Sequence, residues 1–160
     1  MSTPGDALAL RAPAEPLGPP RAALERVVVG FDASPASMRA ARLALEMARE
    51  LRSRVWLVHA TERDRRLAEP LTEEEAGFPA RAVAHTLERL AAEAGAQGIK
   101  AEALSREGPA AEVLLRVAQE VGATAIFVGT RGLGRAERLL LGSVSGRVVV
   151  GSTVPVTVVP

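Results

Sequence analysis

Between Gly129 and Gly146 the chain reads GTRGLGRAERLLLGSVSG, five glycines and three hydroxyl residues set between two apolar runs. Glycine has no Cβ, so backbone N–H groups beside it can approach a ligand closely and φ can turn positive. Gly129, Gly132 and Gly134 offer that freedom in a loop, and Gly142 offers it just ahead of a predicted helix. A helix start carries unpaired N–H donors and the positive end of the macrodipole, and both favour phosphate. Ser143 and Ser145 add hydroxyl donors. The chemistry expected of such a stretch is a nest for two or three phosphates. Turn-forming and close-packing glycines would give the same composition. The stretch is not a Walker A loop, because the only lysine is Lys100, far away in sequence. Nor is it the usual dinucleotide fingerprint, since GFDASPAS stands after the first predicted strand in place of Gly-x-Gly-x-x-Gly.

Other residues that could do chemistry are few. Asp32 closes the first predicted strand, where it serves either as a ligand contact or as a cap for the following turn. His59 lies in an apolar strand and reads as a satisfied core histidine before a catalytic base. His85 falls on a helix away from the strand ends, a surface or packing position. Arg131 and Arg135 are phosphate partners or solvated loop arginines. The run TEEE at 72–75 reads as a helix start rather than a metal site.

Positioning these residues takes a series of alternating elements. RVVVGF, beginning at Arg26, is short, β-branched and bounded by turn residues, the pattern of a buried strand. Ser34 is a plausible N-cap with Pro35 at the first helical position, and Ala40, Leu43, Ala44, Met47 and Leu51 form the expected buried stripe. RVWLVHA is the second strand, and residues 61–78 read as a charged loop. A helix over 79–98 buries Val83, Leu87, Leu90 and Ala94. Strand IKAEALS follows, then a helix opened by Pro109 and closed by Gly122. ATAIFVG is the fourth strand and VPVTVVP the last. The valines at 148–150 favour a strand by propensity, yet a parallel strand so soon afterwards needs a covering crossover first. Ser143 to Gly151 is therefore predicted to be a short helix. Alternating strands and helices give an α/β fold, a doubly wound, Rossmann-like five-stranded parallel sheet of order 3-2-1-4-5 with helices on both faces. Residues 1–25, with five prolines, are expected to be a disordered extension, and residues 26–160 a single domain.

Composition removes several function classes. With 48% apolar and 24% charged residues and a net charge of +1, the chain has material for a core but no strong field for nucleic acid or an acidic membrane. The absence of cysteine excludes disulfides, thiolate catalysis and Cys-ligated zinc, and fits a reducing, cytoplasmic setting. No apolar run approaches the roughly 20 residues of a membrane span, and the start lacks the pattern of a secretory signal. Three phenylalanines and one tryptophan argue against a base-stacking surface.

Gly129-x-x-Gly132, nine residues, then Gly142-Ser143 resembles the signature of the universal stress protein (UspA-like) family in its ATP-binding branch. VVVGFDASPAS, LVHA, GPAAEVLLRVAQEVGATAIFVG and VPVTVVP resemble other parts of that family, so the likeness runs from Arg26 to Pro160. The resemblance implies a site. Gly30, Phe31 and Asp32 would line the nucleoside end, and Ala60 would offer backbone contacts to adenine. Val128 and Gly129 would face the ribose, and Arg131, Gly132, Gly142, Ser143, Val144 and Ser145 would hold the phosphates. Phe31 and Ala60 depart from the smaller or hydroxyl residue and the valine often found there. The resemblance implies ATP with Mg2+ or Mn2+ bound through the phosphates, and a regulatory role in the stress response. A slow ATPase or a phosphoryl or nucleotidyl transferase is the alternative use of the same site. It also implies a homodimer paired through the last strand, 154–159, which would otherwise be an exposed apolar edge.

Overall fold

The computed structural model describes residues 24–61, 80–130 and 142–160. The order of elements is β1 (Arg26–Gly30), α1 (Pro35–Leu51), β2 (Arg54–Thr61), α2 (Ala80–Ala96), β3 (Lys100–Glu107), α3 (Ala110–Glu120), β4 (Ala125–Gly129), α4 (Ser143–Gly151) and β5 (Val156–Val159). All neighbouring strands pair in parallel, in the order β3-β2-β1-β4-β5. The doubly wound fold read from the sequence is the fold observed, and α4 forms a helix in spite of its valines. The 61–78 loop beyond Thr61, its TEEE run and residues 1–23 lie outside the described residues.

Alternation along the strands builds two cores. Val27, Val29, Val55, Leu57 and Phe127 point to the face covered by α1 and α2. Val28, Trp56, Val58, Ile126 and Val128 point to the face covered by α3 and α4, where Val148 is the buried contact of α4. Full burial of each such side chain contributes about 1.5–3 kcal/mol. Only the three inner strands are buried on both faces. The outer strand β3 carries Lys100, Glu102, Arg106 and Glu107, charges that blunt a sheet edge, whereas β5 is Val-Thr-Val-Val.

The start of α1 follows its sequence signals: Ser34 is the N-cap and its side chain accepts from the Ser37 N–H at 3.2 Å, with Pro35 opening the helix. The buried stripe differs from the one expected. Ala36, Ser37, Ala40, Ala41, Ala44 and Ala48 are buried, while Leu43 and Leu51 are 37% and 57% exposed. The helix lies too close to the sheet for leucine on that face, so alanines take the contact and the larger side chains turn outward or to its flank, as Met47 does. The second stripe holds: Val83, Leu87 and Ala94 are buried and Leu90 packs against them. Pro109 serves as the N-cap of α3, and Gly122 follows the helix with φ +59.

At the other end of α1 the cap is a non-glycine residue in the left-handed region, Arg52 with φ 58, whose N–H reaches the Ala48 carbonyl. A Cβ in that conformation is crowded by the carbonyl that follows it. Arg52→Gly is expected to raise stability by about 0.5–1 kcal/mol, net of the added freedom of the unfolded chain. Urea denaturation, with an unchanged m-value and a higher midpoint, is the measurement that checks it.

Candidate functional site

Strand order reverses between β1 and β4: α1 leaves β1 on one face and α4 leaves β4 on the other. The crevice at their carboxyl ends is where ligands bind in open α/β sheets. Because β4 and β5 are parallel neighbours, the helix that joins them runs back across the sheet. The N-terminus of α4 therefore belongs to the carboxyl edge, as does that of α1.

The turn from β1 into α1 is held by a continuous set of hydrogen bonds. The Phe31 N–H donates to the Val58 carbonyl at 2.8 Å, one step beyond the last β1–β2 pair. The Phe31 carbonyl accepts from His59 Nδ1 at 3.1 Å. The Asp32 N–H donates to Ser37 Oγ at 3.3 Å, and Asp32 Oδ1 accepts from the Ser34 N–H at 3.0 Å. Between them Ala33 takes φ 63. Asp32 thus acts as a turn former, the capping alternative read from the sequence. Ser37, buried inside the first turn, returns its own hydroxyl hydrogen to the Ser34 carbonyl at 3.1 Å.

Gly129, at the end of β4, lies directly against that first turn. A Cβ there would stand 2.5 Å from both the Ala36 carbonyl carbon and the Ser37 nitrogen, closer than real Cβ atoms come to backbone. Its φ is not positive, and Gly142 has φ −59, so neither glycine is required by a left-handed backbone. At Gly129 the requirement is close approach. Gly30 is tight in a milder way: a Cβ would meet Leu114 Cδ1 at 2.8 Å, the end of a flexible side chain.

The α4 start is built differently from that of α1. Gly142 is its N-cap and provides no side-chain cap. Ser145 is buried, and its Oγ donates to the Gly142 carbonyl at 3.1 Å. The Gly146 N–H donates to the same carbonyl at 2.8 Å, closing the first helical turn. The N–H groups at the very start of a helix have no partner within it. Ser143 is exposed at that position, and Val144 packs partly into the α3–α4 core. One helix of the crevice thus has a side-chain cap and the other lacks one.

The remaining expected site residues are placed as follows. The ring of Phe31 sits in the α1–α2 core at 3% exposure, which is how a bulky residue is accommodated there, and Val128 is buried on the opposite face at 3%. Each has only its backbone at the edge. Ala60 is half-buried against the α3–α4 core. Arg131, Gly132, Gly134 and Arg135 lie outside the described residues. Sequence reasoning missed the role of Ser37, although its spacing three residues after Ser34 was the available signal. Among the described residues no group of three or more His, Asp or Glu side chains forms a metal centre, and no helix is long and apolar enough to cross a membrane.

Comparison with known proteins places this geometry among relatives. A family model described as the universal stress protein family matches residues 23–160. A universal stress protein of Thermus aquaticus is 37% identical over 139 residues, covering 83% of this chain and 96% of the relative. One from Synechocystis sp. is 43% identical over 79 residues, covering 49% of this chain and only 50% of the relative, so the likeness there spans half of that protein. Among solved structures, a universal stress protein in complex with cAMP aligns with TM-score 0.62 and 29% identity, over 85% of this chain and 96% of its own. A universal stress protein of Archaeoglobus fulgidus in complex with dAMP aligns with TM-score 0.61 and 25% identity, over 84% of this chain and 97% of its own.

The Gly129 contact generates a direct test. Gly129→Ala forces backbone against backbone and should cost about 2–3 kcal/mol, at the upper end of overpacking effects. Thermal or chemical denaturation measures the loss; a variant as stable as the wild type would mean that α1 does not rest on the end of β4.

Proposed function

The chain belongs to the universal stress protein family, and from that premise we propose that it is an ATP-binding regulatory member whose nucleotide-bound form is read by a partner in the stress response. The observation that carries this reading is the α4 N-terminus: a helix start at the switch point of the sheet, with a glycine N-cap, no side-chain cap and an exposed serine. Phosphate is the ligand that such a terminus favours. The family's sequence pattern, and relatives solved with cAMP and dAMP, support adenine nucleotides as the class.

In this reading Gly142, Ser143, Val144 and Ser145, with Arg131 and Gly132 from the preceding segment, hold the phosphates. Ser145 contributes its N–H, since its hydroxyl is engaged by Gly142. Ser143 contributes both N–H and hydroxyl. Gly30, Phe31, Asp32, Ala60, Val128 and Gly129 form the nucleoside end, Phe31 and Val128 through backbone only. The phosphate oxygens would supply the hard ligands for Mg2+ or Mn2+. Binding is favoured over turnover because hydrolysis needs a group to orient the attacking water, and among the described residues of the crevice Asp32 is engaged through Oδ1 by the Ser34 N–H. Residues 26–160 act as one nucleotide-binding unit, with 1–25 as an extension.

We also propose a homodimer paired through 154–159. Of the two outer strands only β5 lacks charged residues. Its odd-numbered backbone groups face β4, as in Ile126 N–H to the Pro155 carbonyl and Thr130 N–H to the Val159 carbonyl. Those of Val156 and Val158 consequently face outward, open to a second copy.

Binding and assembly are tested separately. Saturation with ATP and Mg2+ at about 100 times Kd should stabilise the fold by roughly 2.7 kcal/mol. Ser143→Asp should move stability and binding in opposite directions: an anion at the helix start stabilises by about 0.3–1 kcal/mol but repels phosphate, weakening ATP about tenfold or more. A variant that binds ATP as the wild type does contradicts the placement. For assembly, light scattering should give twice the 16.7 kDa chain mass, and Val158→Pro, which removes an outward donor without touching the β4 ladder, should give a folded monomer.

A further inference from the structure

We propose that His59 is a positioning residue for this site: its Nδ1–H holds the Phe31 carbonyl and thereby fixes the turn that carries Asp32. The inference rests on the nucleotide-binding reading above and deepens it.

The β1–β2 ladder ends at the pair Gly30 and Val58, and the Phe31 N–H adds one more bond to the Val58 carbonyl. Beyond that point the chain leaves the sheet with its next carbonyl, that of Phe31, turned toward a buried imidazole. His59 is 8% exposed, and Nδ1 stands 3.1 Å from that oxygen. A carbonyl oxygen only accepts, so Nδ1 carries the hydrogen of this bond. Nε2 is buried and has no partner among the described residues. A buried polar atom left unmatched costs free energy that an aliphatic residue in this apolar strand would not incur. What the imidazole provides in return is the Nδ1 bond.

That bond acts on one particular peptide unit. The Phe31 carbonyl and the Asp32 N–H belong to the same plane. His59 holds one end of it, and Ser37 Oγ holds the other at 3.3 Å. Immediately after it comes Ala33 with φ 63, a conformation that an alanine keeps only when its surroundings over-determine it. With both ends of the peptide fixed, Asp32 Oδ1 meets the Ser34 N–H and α1 begins in register. With the carbonyl released, the peptide can rotate, and the Gly30–Asp32 backbone is no longer pre-set for a ligand. Affinity then falls by the fraction of molecules in the competent turn.

Isothermal titration of the full chain with ATP and Mg2+ tests this with three variants. Asparagine carries its amide nitrogen where histidine carries Nδ1, and glutamine carries it where histidine carries Nε2. His59→Asn should bind within about twofold of the wild type, while His59→Gln and His59→Leu should bind about five- to tenfold more weakly, the scale of one lost hydrogen bond. Long-range 1H–15N spectra of the wild type should show the proton on Nδ1. The inference is overturned if the Asn and Gln variants do not separate, if His59→Leu binds like the wild type, or if the proton is on Nε2. Should His59→Leu not fold, the Asn–Gln contrast decides. A wild type that binds no adenine nucleotide removes the proposed function and this inference with it; a wild type that binds while the variants do not separate removes this inference alone.

Discussion

The seating of the first turn of α1 on Gly129 is the contact on which the rest of the edge depends. Two backbones meet there with no space for a methyl group between them. Such an approach fixes the height of α1 above the sheet, and that height selects the alanines at 36, 40, 41, 44 and 48 as its inner face. It also places Ser37, whose N–H is capped by the Ser34 hydroxyl and whose own hydroxyl takes the Asp32 N–H. The end of β4, the start of α1 and the turn from β1 are therefore held against one another by these contacts. A displacement of any of them would have to break a backbone contact, a cap or the constraint on Ala33.

This rigidity has an electrostatic counterpart. The α1 terminus satisfies itself with Ser34, Asp32 and Ser37, whereas α4 opens on a glycine and sends its buried serine back to a carbonyl. The positive end of one dipole is partly satisfied by neighbouring side chains, while the other receives no side-chain cap from its N-cap residue. A proposed ligand lying across the crevice would thus meet a hydrogen-bonded turn on the β1 side and, on the α4 side, a helix start whose N-cap residue supplies no side-chain cap. That division suits a nucleotide, which has a neutral heterocycle at one end and charge at the other.

Much of this was legible from the residues. Strand and helix alternation gave the topology, because each crossover must be covered before the next parallel strand can form. The same rule predicted α4 against the β propensity of Val148, Val149 and Val150, and packing of Val148 alone into the α3–α4 core explains why the others can face outward. The buried stripe of α1 was not legible: hydrophobicity picks Leu43 and Leu51, but the distance between helix and sheet admits only small residues, and that distance is set by Gly129, about eighty positions away. The packing role of Gly129 was not legible for the same reason. Sequence presents it as part of a loop that frees the backbone for a ligand, while the fold uses its missing Cβ against α1. Phe31 reads as a bulky departure from the family pattern, and the structure accommodates it by turning its ring into the core.

The near-neutral charge of the chain follows from the same design. Twenty basic and nineteen acidic side chains leave almost no net field, so attraction of a polyphosphate cannot come from the protein as a whole. In the proposed site it would come from groups acting over a few ångströms, the oriented peptides of the α4 start together with Arg131. Peptide donors are carried by every residue, and what distinguishes a binding segment is the omission of side chains that would block or satisfy them. Glycine at the N-cap of α4 is such an omission, and serine at 143 adds a donor without adding bulk. Composition registers neither effect, which is why the spacing of small residues, rather than any charged motif, carried the information.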